Sequence, residues 1–231
     1  VNYGQADGSF ASYTGATPNA SSVAAADYLG DGTVTIIITD DATSGNFNQD
    51  TSLYSFDTSS GNLVMTKIAT LPASRFTQPD LQDKLEQAGS SHIVRVVNFD
   101  FNNDGVMDVI LSDNVSGNDV NMSAVQFLRN DGGGTFTDVT NDVLVDYDYN
   151  IHASYQPIIM DINNDGLDDI LLSASDWVAE SGYHDSTRVL LQSSDGKFVQ
   201  KYESVFSDFY KQIADNTENA SEHGMPITVV N

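Results

Sequence analysis

The chain has 231 residues and carries 33 acidic against 9 basic side chains, which gives a formal net charge of −24. A surface this negative repels phosphate backbones and anionic lipids, so the composition argues against binding to nucleic acid or to membrane surfaces. The absence of cysteine excludes disulfide scaffolds, thiolate zinc sites, iron–sulfur clusters and cysteine nucleophiles.

The residue types favour a folded chain whose charge lies in loops. Hydrophobic residues make up 40% of the chain and aromatic residues 10%, so one or two folded domains are a better interpretation than disorder. The acids are 28 Asp and 5 Glu. Asp is typical of turns and of tight oxygen-ligand loops, whereas Glu is the better helix former. The first residue is Val, so we expect either a removed leader or a piece of a longer protein.

Three segments repeat one pattern, in which a nine-residue acidic loop separates two short apolar runs. The loop reads Asp-x-Asn-x-Asp-Gly-x-x-Asp at 100–108 and at 161–169, and a degenerate copy occupies 27–35. Turn glycines follow the loops at matching distances. Alternating and β-branched runs between turn residues predict four short strands in each repeat. For the middle repeat they are predicted near 92–98, 107–112, 124–129 and 135–140.

In chain order, the first repeat holds the degenerate loop. Leu29 stands at its third position and Thr35 at its ninth, so only Asp27 and Asp31 remain as carboxylates. Two carboxylates bind calcium weakly, and we expect no metal in this loop. The connector that follows carries helix start and stop signals, which predict a short helix within 78–89.

The second and third loops predict two calcium sites. Oxygen donors at alternate positions of a tight loop converge on one point, and Gly105 permits the sharp turn. Asp100, Asn102 and Asp104 supply side-chain oxygens, the Val106 carbonyl adds one, and Asp108 can bind through both of its oxygens. Six or seven hard oxygen donors suit Ca²⁺ better than Mg²⁺. The corresponding donors of the second site are Asp161, Asn163, Asp165, Leu167 and Asp169.

These loops differ from the helix-flanked EF-hand. That motif needs a glutamate at loop position 12, where this chain has Leu111 and Leu172. Each intact loop brings three candidate ligand carboxylates together, and these repel one another when no cation is bound. We therefore expect calcium to be needed for local order.

Two aromatic segments near the third repeat are candidate recognition surfaces. Trp177, Tyr183 and His184 lie in a predicted loop at 176–186, between the second and third strands of that repeat, where they could bind a sugar ring or a protein. Alternatively, Trp177 packs against a neighbouring repeat. The tyrosine-rich stretch 146–152 suits either ring recognition or packing of a connector. Further on, a Ser cap predicts a short helix within 207–214, and 226–231 is strand-like.

The nine-residue loop between two strands, followed by Asp-Gly-x-Phe turns, resembles the FG-GAP/VCBS repeat of integrin-α-like β-propellers over roughly residues 20–202. The resemblance implies an all-β fold of propeller blades with four antiparallel strands, with short helices in the connectors. It also implies that each loop joins the first and second strands of its blade. The expected divisions of this single propeller or propeller segment are 1–19 (end of a preceding blade), 20–85, 86–145 and 146–202 (three full blades) and 203–231 (connector and start of a further blade).

By the same resemblance, the ten calcium ligands are those of the two intact loops. It implies a secreted, extracellular or cell-surface module for adhesion or recognition, with a glycan or an extracellular protein as its partner. No nucleic acid and no membrane insertion are expected. A lyase-like polysaccharide-degrading propeller and a scaffold without a ligand are the alternatives, and no catalytic constellation is visible. Because 231 residues do not fit a closed ring of six to eight blades, we expect the rest of a longer chain or another copy to complete the propeller.

Overall fold

The structure, a computed structural model, describes residues 2–4, 9–12, 20–40, 42–43, 51–57, 64–77, 81, 91–117, 120–147, 157–172, 175–178, 182–185 and 188–201. Within these residues the chain is mostly β-structure with almost no helix, which confirms the all-β prediction. The described strands are, in chain order, β1 (Asn2–Gly4), β2 (Phe10–Ser12), β3 (Ala20–Ala26), β4 (Thr35–Asp40), β5 (Ala42–Thr43), β6 (Ser52–Asp57), β7 (Val64–Thr70), β8 (Ser91–Asn98), β9 (Val109–Gly117), β10 (Val120–Asn130), β11 (Phe136–Asp138), β12 (Leu144–Val145), β13 (Ile158–Met160), β14 (Asp169–Leu172), β15 (Ser175–Val178), β16 (Gly182–Asp185), β17 (Arg188–Gln192) and β18 (Phe198–Lys201). A 3-10 helix at Arg75–Thr77 and a one-turn α-helix at Thr140–Val143 accompany them.

Three sheets of mainly antiparallel strands carry the fold. Sheet I has the order β3-β4-β6-β7, sheet II has β11-β10-β9-β8-β5, and sheet III has β12-β18-β17-β14-β13. The hairpins β1–β2 and β15–β16 form two further two-stranded sheets. Each large sheet is therefore a meander of four strands in chain order. Sheets II and III each gain one short strand at an edge.

Sheet II shows how far the predicted strands agree with the structure. Its meander β8-β9-β10-β11 has the four strands predicted for the middle repeat. β9 and β10 extend beyond the predicted bounds, because their antiparallel register continues from Val109↔Leu128 to Gly117↔Val120. The predicted fourth strand ends early, since Thr140 begins the one-turn helix.

The added edge strands tie neighbouring repeats together. β5 follows β4 of sheet I in sequence but pairs with β8 of sheet II, in the register Ala42↔His92. β12 follows the strands of sheet II but pairs in parallel with β18 of sheet III, in the register Leu144↔Phe198. These exchanges were not predicted, because two-residue strands have no periodicity to detect.

Two hydrophobic cores lie on opposite faces of sheet II. The first core joins sheets I and II, and its buried members are Ala24, Tyr28, Ile37, Leu53, Leu71, Val94, Val96, Val109, Leu111 and Leu128. The second joins sheets II and III through Phe99, Phe101, Ile110, Val125, Phe127, Val139, Ile170, Leu172, Leu190 and Phe198. Successive residues of a strand point to opposite faces. The continuous run Val109-Ile110-Leu111 thus serves both cores, as expected of a strand buried on both faces.

Four phenylalanines of the second core hold the acidic loop of sheet II against sheet III. The Phe101 ring meets that of Phe127 edge-on at 5.3 Å between centroids. Phe127 and Phe198 lie 4.9 Å apart, and Phe99 meets Phe198 at 6.0 Å. Aromatic pairs in such arrangements contribute about 0.5–1.5 kcal/mol each beyond their buried area. The Phe101 ring is therefore fixed even though the four residues that follow it in the loop are exposed.

Several predictions fall largely outside the described residues. Of the predicted helix at 78–89 the structure describes only Leu81, which is helical and buried. The predicted helix at 207–214 and the strand-like segment 226–231 lie outside it altogether. Among the described residues, no helix is long and apolar enough to cross a membrane.

Candidate metal-binding loops

The three acidic loops occupy the same place in their sheets. Loop A (27–35) joins β3 to β4, loop B (100–108) joins β8 to β9, and loop C (161–169) joins β13 to β14. Each therefore connects the first and second strands of a four-stranded meander. The sequence repeat is also a repeat in the structure.

Loops B and C have the same backbone conformation. Asn103 and Asn164 have φ values of 55° and 59°, and Gly105 and Gly166 have φ values of 84° and 88°. Asn tolerates the left-handed region better than most residues, and Gly enters it freely. The Asn-Asp-Gly sequence thus suits two left-handed residues on either side of the central aspartate.

Within loop B, carboxylate and amide oxygens accept hydrogen bonds from the loop's own backbone. Asp100 accepts from the N–H groups of Asp104 (3.1 Å) and Gly105 (2.9 Å), one on each oxygen. The Asn102 side-chain oxygen also accepts from the Asp104 N–H at 3.0 Å, and Asp104 accepts from the Val106 N–H at 2.8 Å. The Asn102 side-chain amide donates to the other oxygen of Asp104 at 2.8 Å. The side chains at positions 1, 3 and 5 thus face the inside of one turn.

Loop C repeats these five bonds with lengths that agree within 0.1 Å. They join Asp165 N to Asp161 Oδ1 (3.1 Å), Gly166 N to Asp161 Oδ2 (2.9 Å), Asp165 N to Asn163 Oδ1 (2.9 Å), Leu167 N to Asp165 Oδ1 (2.9 Å) and Asn163 Nδ2 to Asp165 Oδ2 (2.9 Å).

The ninth-position carboxylates are buried beneath these turns. Asp108 and Asp169 are both 0% exposed. Oδ1 of Asp108 accepts from the Asn130 N–H, and Oδ1 of Asp169 accepts from the Gln192 N–H, both at 2.8 Å. In each sheet the donor is the last residue of the third meander strand. The ninth position is therefore anchored to a strand that lies far from its loop in the sequence.

The second oxygens of these two carboxylates differ. Oδ2 of Asp169 accepts from the Ile162 N–H at 3.0 Å. Oδ2 of Asp108 is buried and makes no hydrogen bond of normal geometry. Burial is the main reason that the pKa of the Asp108 carboxyl is raised to about 6; the charges of Asp104 and Asp100 add to this shift, and the N–H groups of Asn130 and Phe101 oppose it. Asp108 thus offers a cation a buried oxygen that makes no hydrogen bond of normal geometry.

Loop A keeps the turn but has lost ligands. Asp27 accepts from the N–H groups of Asp31 (3.2 Å) and Gly32 (2.7 Å), as Asp100 does in loop B. Asp31 accepts from the Thr33 N–H at 2.9 Å. At the ninth position, the buried Thr35 hydroxyl donates to the Ala26 carbonyl at 3.3 Å. The aspartates at positions 1 and 5 therefore suffice for this backbone, and the ninth carboxylate is not needed to form the turn.

The donor sets of loops B and C consist entirely of oxygen. Each has three carboxylates, one amide oxygen and a backbone carbonyl at position 7. A carboxylate oxygen that accepts one hydrogen bond retains a second lone pair, so the backbone bonds leave room for a cation. Among the described residues, however, no group of three or more His, Asp or Glu side chains already converges in a metal-binding arrangement. Cation binding would require the side chains at positions 1, 5 and 9 to draw together.

The aromatic candidates lie on a hairpin. Trp177 and Tyr183 are paired across β15 and β16, and Asp176 is paired with His184. This segment was predicted as a loop between the second and third meander strands; it has that position, but it contains two short strands. The structure describes only its backbone. In the tyrosine-rich stretch, Tyr147 lies under the Arg188 guanidinium, 5.2 Å from the ring centroid to Cζ, and its hydroxyl is 3.3 Å from that of Ser123. For Tyr147 this supports packing between sheets II and III.

An open cleft of about 440 Å³ lies beside loop B. Its walls come from loop B, the one-turn helix, loop C and the turn between β17 and β18. Asn102, Asn103, Asp142 and Lys197 contribute polar groups, and Leu167 is among the apolar lining residues. The Lys197 ammonium donates to the Asp142 carbonyl across one side of this cleft.

The sequence analysis did not identify the side-chain amides of Asn130 and Gln192 as contacts to the acidic loops. Asn130 donates to the Tyr28 carbonyl at 3.0 Å, and Gln192 donates to the Phe101 carbonyl at 2.8 Å. Both acceptors stand at position 2 of the preceding acidic loop. The available signal was an amide side chain at the end of the third strand in each of two repeats.

These features define a class of protein: a mostly β chain of repeated antiparallel sheets, with an acidic nine-residue loop between the first and second strands of each sheet. The family model described as FG-GAP-like repeat matches residues 100–172. The match begins at the first residue of loop B and ends at the last residue of β14, so it contains both intact loops. The match supports a resemblance to the FG-GAP family over these residues, which make up less than half of the chain. A comparison with curated proteins found no match.

Proposed function

We propose that this chain is a calcium-stabilised β-propeller module for extracellular adhesion or recognition, in which sheets I, II and III are consecutive blades. Loop B would bind calcium through Asp100, Asn102, Asp104, the Val106 carbonyl and Asp108. Loop C would bind it through Asp161, Asn163, Asp165, the Leu167 carbonyl and Asp169. Bound calcium would supply positive charge that offsets the repulsion among the carboxylates of each loop.

The observation that carries this proposal is the buried, unpartnered Oδ2 of Asp108. A buried carboxylate oxygen without a partner is destabilising. It lies at the loop position where the family pattern has a bidentate ligand, and the other donors of the loop are one turn away. A divalent cation is the partner that this oxygen lacks. Loop C supports the second site through its matching turn.

The calcium proposal is tested by thermal unfolding in excess calcium and in a chelator. A ligand that binds only the folded state stabilises it by about 2.7 kcal/mol at a concentration of 100 times Kd. We expect a clear rise in Tm with calcium and a smaller effect with magnesium, which demands a tighter octahedral site. Identical melting curves with calcium and with chelator would remove the calcium assignment.

Recognition of a glycan or an extracellular protein rests on the family resemblance and on the aromatic hairpin β15–β16. Binding to a glycan array, and to a panel of extracellular proteins, would be measured with calcium and with chelator. We expect binding that is lost when calcium is removed, because the loops lie at the junctions between sheets. Calcium-dependent stability without any binding would instead support a scaffold role.

A further inference from the structure

Gln192 connects two acidic loops that belong to different sheets. Its backbone N–H donates to Oδ1 of Asp169 in loop C at 2.8 Å, and its side-chain amide donates to the Phe101 carbonyl in loop B at 2.8 Å. The residue is 5% exposed. One buried residue of sheet III is therefore bonded at the same time to its own ninth-position carboxylate and to the preceding loop.

An equivalent pair of hydrogen bonds joins sheets I and II. Asn130 donates its backbone N–H to Asp108 in loop B and its side-chain amide to the Tyr28 carbonyl in loop A. Tyr28 and Phe101 occupy the same loop position. The three acidic loops thus lie in series, each linked to the next by one amide residue.

The link through Gln192 lies beside an open cleft. Between sheets I and II, the turn at Gly134 is packed against Leu29 of loop A, and the Gly134 N–H donates to the Tyr28 carbonyl at 3.3 Å. At the equivalent Gly196 of sheet III, no described atom lies within 4 Å of where a β-carbon would be, and the cleft of about 440 Å³ opens beside it. Gln192 therefore provides a buried polar link at this end of the junction between sheets II and III, where the Lys197 ammonium provides an exposed one.

We infer that Gln192 is a positioning residue through which a cation held in loop B stabilises sheet III, although that cation has no ligand in sheet III. This inference rests on the proposed cation site in loop B. Phe101 lies between the proposed ligands Asp100 and Asn102, so ordering of these two side chains fixes the Phe101 carbonyl. The fixed carbonyl orders the Gln192 side chain, and the Gln192 N–H then holds Asp169 at the start of β14.

The coupling follows from shared ordering. If loop B is ordered by its cation, sheet III docks onto an acceptor that is already fixed, and the entropic cost of docking falls. By linkage, docking of sheet III raises the affinity of loop B for the cation by the same factor. Couplings of this kind usually lie between about 5-fold and 150-fold.

The test uses the full chain with loop C disabled by Asp161→Asn and Asp165→Asn. Each asparagine keeps one acceptor oxygen for one of the two hydrogen bonds that its aspartate accepts, so loop C loses two charges and part of its turn contacts, equally in every protein compared. Amide hydrogen exchange is measured with and without calcium in two places, β9 of sheet II and β14 with β17 of sheet III. We expect exchange in both places to slow by at least about fivefold on calcium addition.

Gln192→Met is then added to this background. Methionine has a similar length, cannot donate to Phe101, and leaves the backbone N–H for Asp169. We expect calcium still to slow exchange in β9, but no longer in β14 and β17. Gln126→Met is the matched control: Gln126 is buried and donates to the Ala73 carbonyl and to Asp138, away from the acidic loops. Calcium should still slow exchange in sheet III of this control, whatever its overall stability.

The outcomes separate the inference from the proposal beneath it. Two results would overturn the role of Gln192 and leave the cation site standing. One is that calcium slows exchange in β9 alone before Gln192 is changed. The other is that calcium slows exchange in sheet III equally with and without Gln192→Met. Loss of the sheet III response in the Gln126→Met control would show a general structural effect and also overturns it. No slowing in β9 would mean that loop B takes no calcium, and the proposed site fails together with the inference.

Discussion

Leu29 packs so closely on Gly134 that a β-carbon added to the glycine would lie 2.9 Å from Leu29 Cδ2. Leu29 stands at the third position of loop A, where loops B and C have asparagine. The residue that costs loop A an oxygen ligand therefore fills the junction between sheets I and II. At Gly196, the counterpart of Gly134 in sheet III, no described atom lies within 4 Å of the position of an added β-carbon.

This difference predicts unequal costs for Gly134→Ala and Gly196→Ala. Both glycines have left-handed φ values, 78° and 76°, so both changes cost about 1–2 kcal/mol in backbone strain. Gly134→Ala also crowds Leu29 and Leu53, which adds about 1–3 kcal/mol of overpacking. Urea unfolding of the two variants should show the larger loss for Gly134→Ala. Equal losses would mean that Leu29 and Leu53 move aside freely.

Asp108→Asn and Asp169→Asn should differ in their free energy of unfolding in the absence of calcium. Both oxygens of Asp169 accept backbone N–H groups, from Gln192 and Ile162. An asparagine can accept at only one of these places, so Asp169→Asn leaves a backbone donor unpaired and costs about 1–3 kcal/mol. Asp108 has one oxygen that makes no hydrogen bond of normal geometry. Asp108→Asn keeps the bond from Asn130, removes a buried charge and gives up only the weak contact with the Phe101 N–H, so its stability in chelator should be close to that of the parent and above that of Asp169→Asn.

In excess calcium, Asp108→Asn should instead be less stable than the parent. With a cation in loop B, as proposed, the parent would gain stability that the variant, which lacks the buried charged ligand, would not. The two variants are compared by urea unfolding in chelator and again in excess calcium. An equal loss for both in chelator would show that the Asp108 environment differs from the one described.

The acidic loops could be predicted because their information is local. Nine consecutive residues fix both the turn and the donor set, and two left-handed positions fall on Asn and Gly. The strands of sheet II were predicted for the same reason, since alternation and turn residues act over a few positions.

The amide links could not be predicted in this way, because they depend on contacts distant in sequence. Gln192 is 91 residues from Phe101, and Asn130 is 102 residues from Tyr28. From the sequence, Leu29 was interpreted only as the residue that replaces a ligand. Its packing role depends on the Gly134 turn, which lies far away in the sequence. The short strands β5 and β12 depend on a neighbouring sheet edge that no local pattern reveals.

Asp104→Ala and Asp165→Ala should each lower Tm and remove part of its calcium dependence. Both aspartates accept one backbone N–H and one asparagine side-chain amide, so both variants lose comparable turn contacts. Asp31→Ala is the control from loop A, where Asp31 accepts the Thr33 N–H and hydroxyl. It should lose stability equally with and without calcium. A calcium response unchanged in Asp104→Ala and in Asp165→Ala would show that neither loop provides the cation site.

The Tyr28 hydroxyl predicts a loss of stability at alkaline pH. It is buried and donates to the Asn98 side-chain oxygen, and burial raises the pKa of Tyr28 above its ordinary value near 10. Above about pH 10 the unfolded chain releases this proton while the folded chain keeps it, so the unfolded state binds fewer protons and the free energy of unfolding falls as pH rises. The limiting slope from this one group is about 1.4 kcal/mol per pH unit.

Tyr28→Phe isolates that contribution. At neutral pH the variant loses one hydrogen bond, at a cost of about 0.5–1.5 kcal/mol. Above pH 10 its stability should fall less steeply than that of the parent, so the difference between the two proteins shrinks and then changes sign. Chemical unfolding between pH 7 and pH 11 measures this difference directly, and the other tyrosines contribute equally to both proteins. Parallel curves over that range would show that Tyr28 ionises in the folded protein as readily as in the unfolded chain.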